Sequence, residues 1–520
     1  MGLLNNIFGK KKKEVTASYI GGPGYGYNIY DGQKDIGMVG PRQRNFVDNK
    51  GMSINAENTY LIRNIAKTLI DRYVKWIISS GLHLDINPNI DVLSQFGIKY
   101  TREEIESINQ KIETLFGIWG QSEKMCDYRG RLKLFEIQKR AFRTAKLKGD
   151  VLVILRVDKK TKALNIELID SDRLMNPTVP IPNEDGGKWC NGIYINARGV
   201  VEKFCVSAVN APNGYVEIDA VNKIGLTQAY LFSMDSFRSE DIRGLSALSG
   251  SMDVLASSDR YLNAIVESAE ERSKVVFSIK HNNNSSGANP FAQLSGRMRG
   301  NTDKQNDNTN PIRDENGDRL TGLVMATTGK QVINMPKDSE LQMHAAAVDG
   351  EFPEFISKII EIIAPSIGIP SNVAMMLYND SFSASRAAIN DWMHTIRVDR
   401  AGFTSNFMQP IVDYWLYNEV LQGRFSLPAY LRAVIDGNEY VKTAFTVCEF
   451  KGEMFPHIDP LKEVNAVRAS LGPSFNNVPL TTVENAINQL GNRNSDAVIR
   501  QAKTEFDEYS NDFNINSDNN

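Results

Sequence analysis

Apolar and polar residues follow two different periods along this chain, and neither begins at its start. Through about residue 50 no apolar period is present, and Gly21, Gly22, Gly24 and Gly26 crowd with Pro23, Tyr25 and Tyr27. Glycines spaced like this cradle a dinucleotide only between a strand and a helix, and neither pattern flanks them. Residues 1–50 therefore read as a flexible or partner-ordered arm. From Asn58 the pattern turns helical. Leu61, Ile62, Ile65, Leu69, Tyr73, Trp76 and Ile77 share one face, and Gly81 stops it. Thr101 with Glu104 three residues later spells a capping box. Behind it runs a stripe of Ile105, Ile108, Ile112, Leu115, Phe116 and Trp119. A third helix is expected from Leu134 to Leu147, ending at Lys148-Gly149.

The pattern then switches to strands. Val151 to Val157 is a short, continuous apolar run, as in a strand buried on both faces. Ile166–Ile169, Gly192–Ile195 and Val201–Val206 follow, divided by Asp-, Pro- and Gly-rich turns. Residues 51–244 thus predict an α+β domain. Helical spacing returns over Leu245–Lys274, carried by Leu248, Met252, Leu255, Leu262, Ile265 and Val266. From His281 to Asp318 the chain is dominated by Asn, Gly, Ser and Asp. An insertion of that length without structure is functional or disordered. Strand-like pieces at Leu323–Met325 and Val332–Ile333 bring the chain back.

A helix is expected over Glu351–Ala364, broken by Pro365, Gly368 and Pro370. A second breaker-rich stretch, Ser371–Ser383, leads into the longest helical pattern, Ala384–Leu421. Its apolar side is marked by Trp392, Ile396, Phe403, Phe407, Ile411, Trp415 and Leu416. Straight, it would span about 57 Å, with a kink expected at Pro410. A helix that long buries little of itself in one subunit, so an oligomer is expected. From Asp459 short helices are expected, then a polar acidic tail after Tyr509.

Charge and composition narrow the partners. The 520 residues carry 59 Lys+Arg against 62 Asp+Glu, a net charge of −3. That excludes a polybasic protein held to nucleic acid by bulk charge, though not a protein that touches DNA. Cys126, Cys190, Cys205 and Cys448 form no C-x-x-C pair, which argues against a disulfide framework or zinc ribbon and for a reducing compartment. No apolar run reaches membrane-spanning length, and Met1–Phe8 is too short for a signal-peptide core. The expectation is a chain made in a cytoplasm that stays soluble.

Catalytic motifs are missing. The nearest approach to a phosphate loop, Thr327-Thr328-Gly329-Lys330-Gln331, misplaces its first glycine (Gly322) and lacks the hydroxyl after the lysine. His83, His281, His344, His394 and His457 form no metal-spaced pair, and no G-x-S-x-G elbow occurs. No enzyme activity, cofactor or metal is expected.

Several motifs together carry a family likeness. They are Gly117–Trp119, Cys126-Asp127, Gly130-Arg131-Leu132, Lys148-Gly149-Asp150-Val151 and Leu168-Ile169-Asp170-Ser171-Asp172-Arg173-Leu174. Further along come Phe237–Gly244 with its Arg243-Gly244 end, Phe352–Ile356, Ile367-Gly368-Ile369-Pro370, Asn379–Ala388 and Ile458–Glu463. In this order the chain resembles the lambda-type bacteriophage portal proteins. Ser383 to Arg386 departs from that pattern by separating its serines, and the Asn-rich stretch 282–318 does not follow it.

The resemblance implies a dodecameric ring at one capsid vertex, the conduit for double-stranded DNA packaging and ejection. It implies an arm over 1–50, a wing over 51–244, stem helices over 245–275 and 351–368, and a clip with the polar insertion over 276–350. A tunnel loop over 369–383, a long helix returning to the wing over 384–458, and a helical crown with an acidic tail over 459–520 complete the fold. Asn372, Tyr378, Asn379, Asp380 and Ser381 become DNA-facing candidates, of which only Asp380 is ionised. Implied partners are the terminase large subunit, head–tail connector proteins, and the major capsid and scaffold proteins, in a virion assembled in the host cytoplasm. A multidomain enzyme or a packaging-motor component with an unseen active site stands as the alternative.

Overall fold

The computed structural model describes residues 49–178, 186–208, 211, 213–234, 241–274, 277–281, 339–343, 352–377, 382–453, 460–472, 479–491 and 498–508. The expected arm up to residue 48, the Asn-rich insertion and the phosphate-loop-like segment lie outside these, and the arm's last two residues, Asn49 and Lys50, are helical instead. The chain divides into two compact units, Met1–Ser258 with Glu354–Asn520, and Asp259–Pro353.

In the first unit, α1 (Asn49–Ile62) and α2 (Asn64–Ile78) replace the single helix expected from Asn58. Arg63 between them is extended (φ −105°, ψ 113°), and its guanidinium donates to the Met252 carbonyl at 3.1 Å. The corner turns Leu61 and Ile62 outward, 68% and 76% exposed, while Leu69, Tyr73 and Ile77 stay buried. Strand β1 (His83–Ile86) and α3 (Ile90–Gln95) lead to α4 (Arg102–Gln121). The capping box forms there: Thr101 Oγ1 accepts from Glu104 N at 3.3 Å, and Glu104 Oε2 accepts from Thr101 N at 2.9 Å. A short α5 (Glu123–Cys126) and α6 (Leu134–Lys148) follow.

Strand β2 (Asp150–Val157) lies between β3 (Leu164–Asp170) and β8 (Ala229–Ser233), all antiparallel. Its continuous apolar run is explained by cover on both faces. Val151, Val153 and Leu155 enter the large core, while Leu152 and Ile154 enter a second cluster with Ile193, Ile195, Phe204 and Ile218. That cluster belongs to a separate antiparallel sheet ordered β4–β5–β6–β7, from Lys188–Cys190, Ile193–Ile195, Val201–Ser207 and Tyr215–Asp219.

Helix α7 (Met252–Lys274) begins seven residues later than expected, because 247–251 form turns ahead of it. In the second unit β9 (Phe277–His281) pairs antiparallel with β10 (Ser339–Met343). The chain returns through α8 (Phe352–Ile367), which runs past Pro365 instead of ending at Ala364. After α9 (Ser371–Met375), α10 (Phe382–Phe403) passes through a π-helical turn at Thr404–Met408 into α11 (Gln409–Leu421). The wide turn absorbs Pro410. Gln409 N reaches back to Thr404 O, and the Tyr230 hydroxyl donates to the Phe407 carbonyl at 2.5 Å.

All seven residues of the expected apolar stripe on this helix are buried. The far half is also buried where exposure was expected. Ile411, Val412, Trp415, Leu416, Asn418 and Glu419 lie in the core of this one chain. Helices α12 (Pro428–Asp436) and α13 (Glu439–Thr446) precede β11 (Cys448–Lys451), which pairs antiparallel with β1. Helices α14 (Pro460–Leu471) and α15 (Val483–Gly491) and a last helix over 498–508 close the chain.

Glu113 on α4 gives this corner a pH dependence. Its Oε1 accepts from Ile86 N at 3.3 Å. Burial, reinforced by the Asp85 carboxylate, raises its pKa to about 7 against the pull of Arg500 and Lys451. The folded state then holds a proton that the unfolded chain has released, so stability falls as pH rises from about 4.5 to about 7. Glu113 is only half-buried, and solvent screening holds the effect to about 1–2 kcal/mol. Denaturant titrations across this window should show that slope in the wild type and lose it in Glu113→Gln. An unchanged slope in the variant would assign it elsewhere.

Candidate functional site

The motif residues scattered through the sequence meet at the root of α7. Asp150 and Arg243 are both buried. Arg243 Nε donates to Asp150 Oδ2 at 2.6 Å and Nη2 to Oδ1 at 3.1 Å, a bidentate pair. The remaining guanidinium donors go to the carbonyls of Asn191 (3.0 Å) and Ser171 (3.2 Å). Gly244 N adds a third bond to Asp150 Oδ2 at 3.0 Å. Both glycines follow from the same close approach. A Cβ on Gly244 would lie 2.0 Å from the Gly149 carbonyl oxygen, and one on Gly149 2.5 Å from that of Gly244. Asn49 ties in the start of α1, donating to the Gly244 carbonyl at 3.2 Å. Beside the junction, Lys148 Nζ reaches Glu57 at 2.9 Å, with Asp170 and Asp172 at 3.8 and 3.7 Å.

The Trp119, Cys126-Asp127 and Gly130-Arg131-Leu132 motifs form a second knot. Trp119 Nε1 donates to the carbonyls of Leu164 (2.8 Å) and Met125 (3.0 Å). Asp127 Oδ2 accepts from Arg131 N and Leu132 N at 2.8 and 3.2 Å. Burial, then the Asp127 carboxylate, pushes the Cys126 thiol up to about 12, which leaves it protonated and unreactive. These residues build turns; they do not converge on a reacting atom.

The channel candidates sit past α8. Gly368 (φ +98°) turns the chain, Gly368 N donating to the Pro365 carbonyl and Ile369 N to that of Ala364. Ile369 is buried, and Pro370 starts α9, so part of the expected loop is helical. Asn372 lies in α9, half-buried; its Oδ1 accepts from Val373 N at 2.7 Å, and its carbonyl accepts from Leu377 N at 3.1 Å. Met376 and Leu377 are exposed. Tyr378, Asn379, Asp380 and Ser381 lie outside the described residues, so the five candidates are not brought together here. Phe382 and Ser383, expected in the loop, already belong to α10.

Sequence reasoning missed the contacts that hold this segment's surroundings. Arg400 Nε donates to the Ile77 carbonyl at 2.7 Å and Nη2 to that of Trp76 at 3.0 Å, closing the open end of α2. One signal was available: Arg400 follows Ile396 by four and precedes Phe403 by three, a charge set on an apolar stripe. Among the described residues no group of His, Cys, Asp and Glu could hold a metal ion, and no helix is long and apolar enough to cross a membrane. A groove of about 470 Å³ between α15 and the 498–508 helix is lined by Val483, Ile487, Ile499, Ala502 and Phe506, with Lys503 and Asp507 among the rim residues. It lacks the convergent polar groups of a reaction pocket.

No curated protein sequence matches the chain. Among solved structures, the neck of an empty GTA particle computed with C6 symmetry is similar at 11% identity and a TM-score of 0.43, covering 86% of this chain and 94% of that one. The neck of a native GTA particle computed with C12 symmetry is similar at 10% identity and a TM-score of 0.39, covering 87% and 94%. The virion of a native gene transfer agent particle follows at 12% and 0.33, covering 76% and 94%. All three likenesses are distant. The family described as phage portal protein, lambda family, matches residues 45–400, a span that contains both motif knots, α7, α8, the Gly368 turn and most of α10. The chain belongs to the lambda family of phage portal proteins.

Proposed function

We propose that the chain assembles into a dodecameric ring at one capsid vertex and forms the conduit for double-stranded DNA during packaging and ejection. The observation that carries this is the burial of α7. Up to Ser258 the helix contributes Met252, Leu255 and Ser258 to the core, and from Asp259 to Glu270 no described residue is buried. Tyr261, Leu262 and Ile265 are left half-covered and Val266 is 53% exposed. A helical stretch with no buried residue needs neighbours, and a ring of copies supplies them. In this reading α7 and α8 are stem helices, residues 276–350 the clip that docks the terminase large subunit and the head–tail connectors, and the helices after 459 a crown. The major capsid and scaffold proteins surround the ring, which is assembled in the host cytoplasm and carried in the virion. The role is structural, without catalysis or cofactor.

A conduit must let DNA slide, so strong phosphate contacts work against it. A net charge of −3 repeated around a ring suits weak contact, as do the mostly uncharged candidates Asn372, Tyr378, Asn379 and Ser381 beside Asp380. Replacing Tyr378-Asn379-Asp380 with glycines should leave ring assembly intact and reduce DNA packaging or retention. Loss of the ring itself would make the segment a structural element, and unchanged packaging would remove it from the channel.

A further inference from the structure

We infer that Tyr73 is a positioning residue that locks the Gly368 turn and the long helix to α2, so that both roots of the tunnel segment are held by one element. Tyr73 is 1% exposed, and its hydroxyl donates to the Asp399 carboxylate on α10. On the other side, the place a Cβ would occupy on Gly368 is 3.2 Å from the same hydroxyl oxygen. A side chain at 368 would press on that oxygen, so the glycine serves the close approach as well as the positive φ. Two groups on α6 fix the ring itself. The Lys146 ammonium lies 5.2 Å from its centroid, and the Phe142 ring is 6.0 Å away.

The rest of α2 repeats the arrangement. The Trp76 ring meets Trp392 edge-on at 4.8 Å. About two helix turns beyond Trp392, Arg400 holds the carbonyls of Trp76 and Ile77. Ala374 in α9 and Trp392 in α10 are both buried. Between them no described residue is buried. The Tyr73–Asp399 bond and the close approach at Gly368 keep the turn before α9 and the long helix from moving independently.

The inference rests on reading 369–383 as the channel-facing segment only for its functional meaning; the lock itself is a property of the folded chain. Hydrogen exchange on the full-length protein tests it. Tyr73→Phe keeps the ring and removes the hydroxyl. Amides of α9 and of 392–403 should exchange about tenfold faster, together, as expected for loss of one charge-assisted hydrogen bond. Amides of β2 should be unchanged. Asp399→Asn retains an acceptor and should give a smaller acceleration in the same two segments. Acceleration in only one segment, in neither, or equally in β2 would overturn the lock. A protein that forms rings yet shows no coupled acceleration fails this inference alone. One that shows it and forms no ring fails the portal reading alone.

Discussion

Arg243→Leu should lower the stability of the first unit by about 3–5 kcal/mol, read as a reduced denaturation midpoint followed by tryptophan fluorescence. The magnitude comes from what is left behind. Asp150 is 0% exposed, and removing Arg243 strands its carboxylate with the Gly244 amide as its remaining described donor at 3.0 Å. The carbonyls of Asn191 and Ser171 lose their donor at the same time. The double variant Arg243→Leu, Asp150→Leu should be less destabilised than the single one, because no buried charge is then unpaired. A single-variant loss below about 1 kcal/mol would mean that water reaches the pair.

The second large effect is expected at Phe403. Its ring stacks on Phe407 at 4.8 Å and meets Phe232 and Phe142 at 5.4 and 5.6 Å, joining α10 to β8 and α6. It is fully buried one residue before the π turn. Phe403→Ala should cost about 3–5 kcal/mol, the transfer term plus the cavity the surrounding rings cannot close. Phe403→Leu keeps most of the volume and should cost clearly less. Equal losses for the two variants would mean that ring geometry, and not volume, holds the junction.

What could be read from the sequence was local. The capping box at Thr101 and Glu104, the double-faced burial of Val151–Leu155 and the stripe from Trp392 to Leu416 all follow from spacing within one element. The stop after Leu61-Ile62 did not, because those residues keep helical spacing while Arg63 turns the chain to reach Met252. The pairing of β1 with β11 joins residues more than 350 positions apart and carries no local mark. The π turn was half-legible: Pro410 announced a disturbance, but the hydroxyl that meets the Phe407 carbonyl comes from Tyr230 on β8. The motifs were visible as a series; that Gly149-Asp150 and Arg243-Gly244 are two sides of one contact was not. The channel candidates were named by resemblance, whereas Tyr73, Asp399 and Arg400 meet only as tertiary partners across α2 and α10.

The proposed ring around DNA is tested by mass photometry of the purified full-length protein, paired with negative-stain imaging. A species near twelve subunits with an axial hole is expected. A stable monomer or compact dimer across protein concentrations and salt would contradict it.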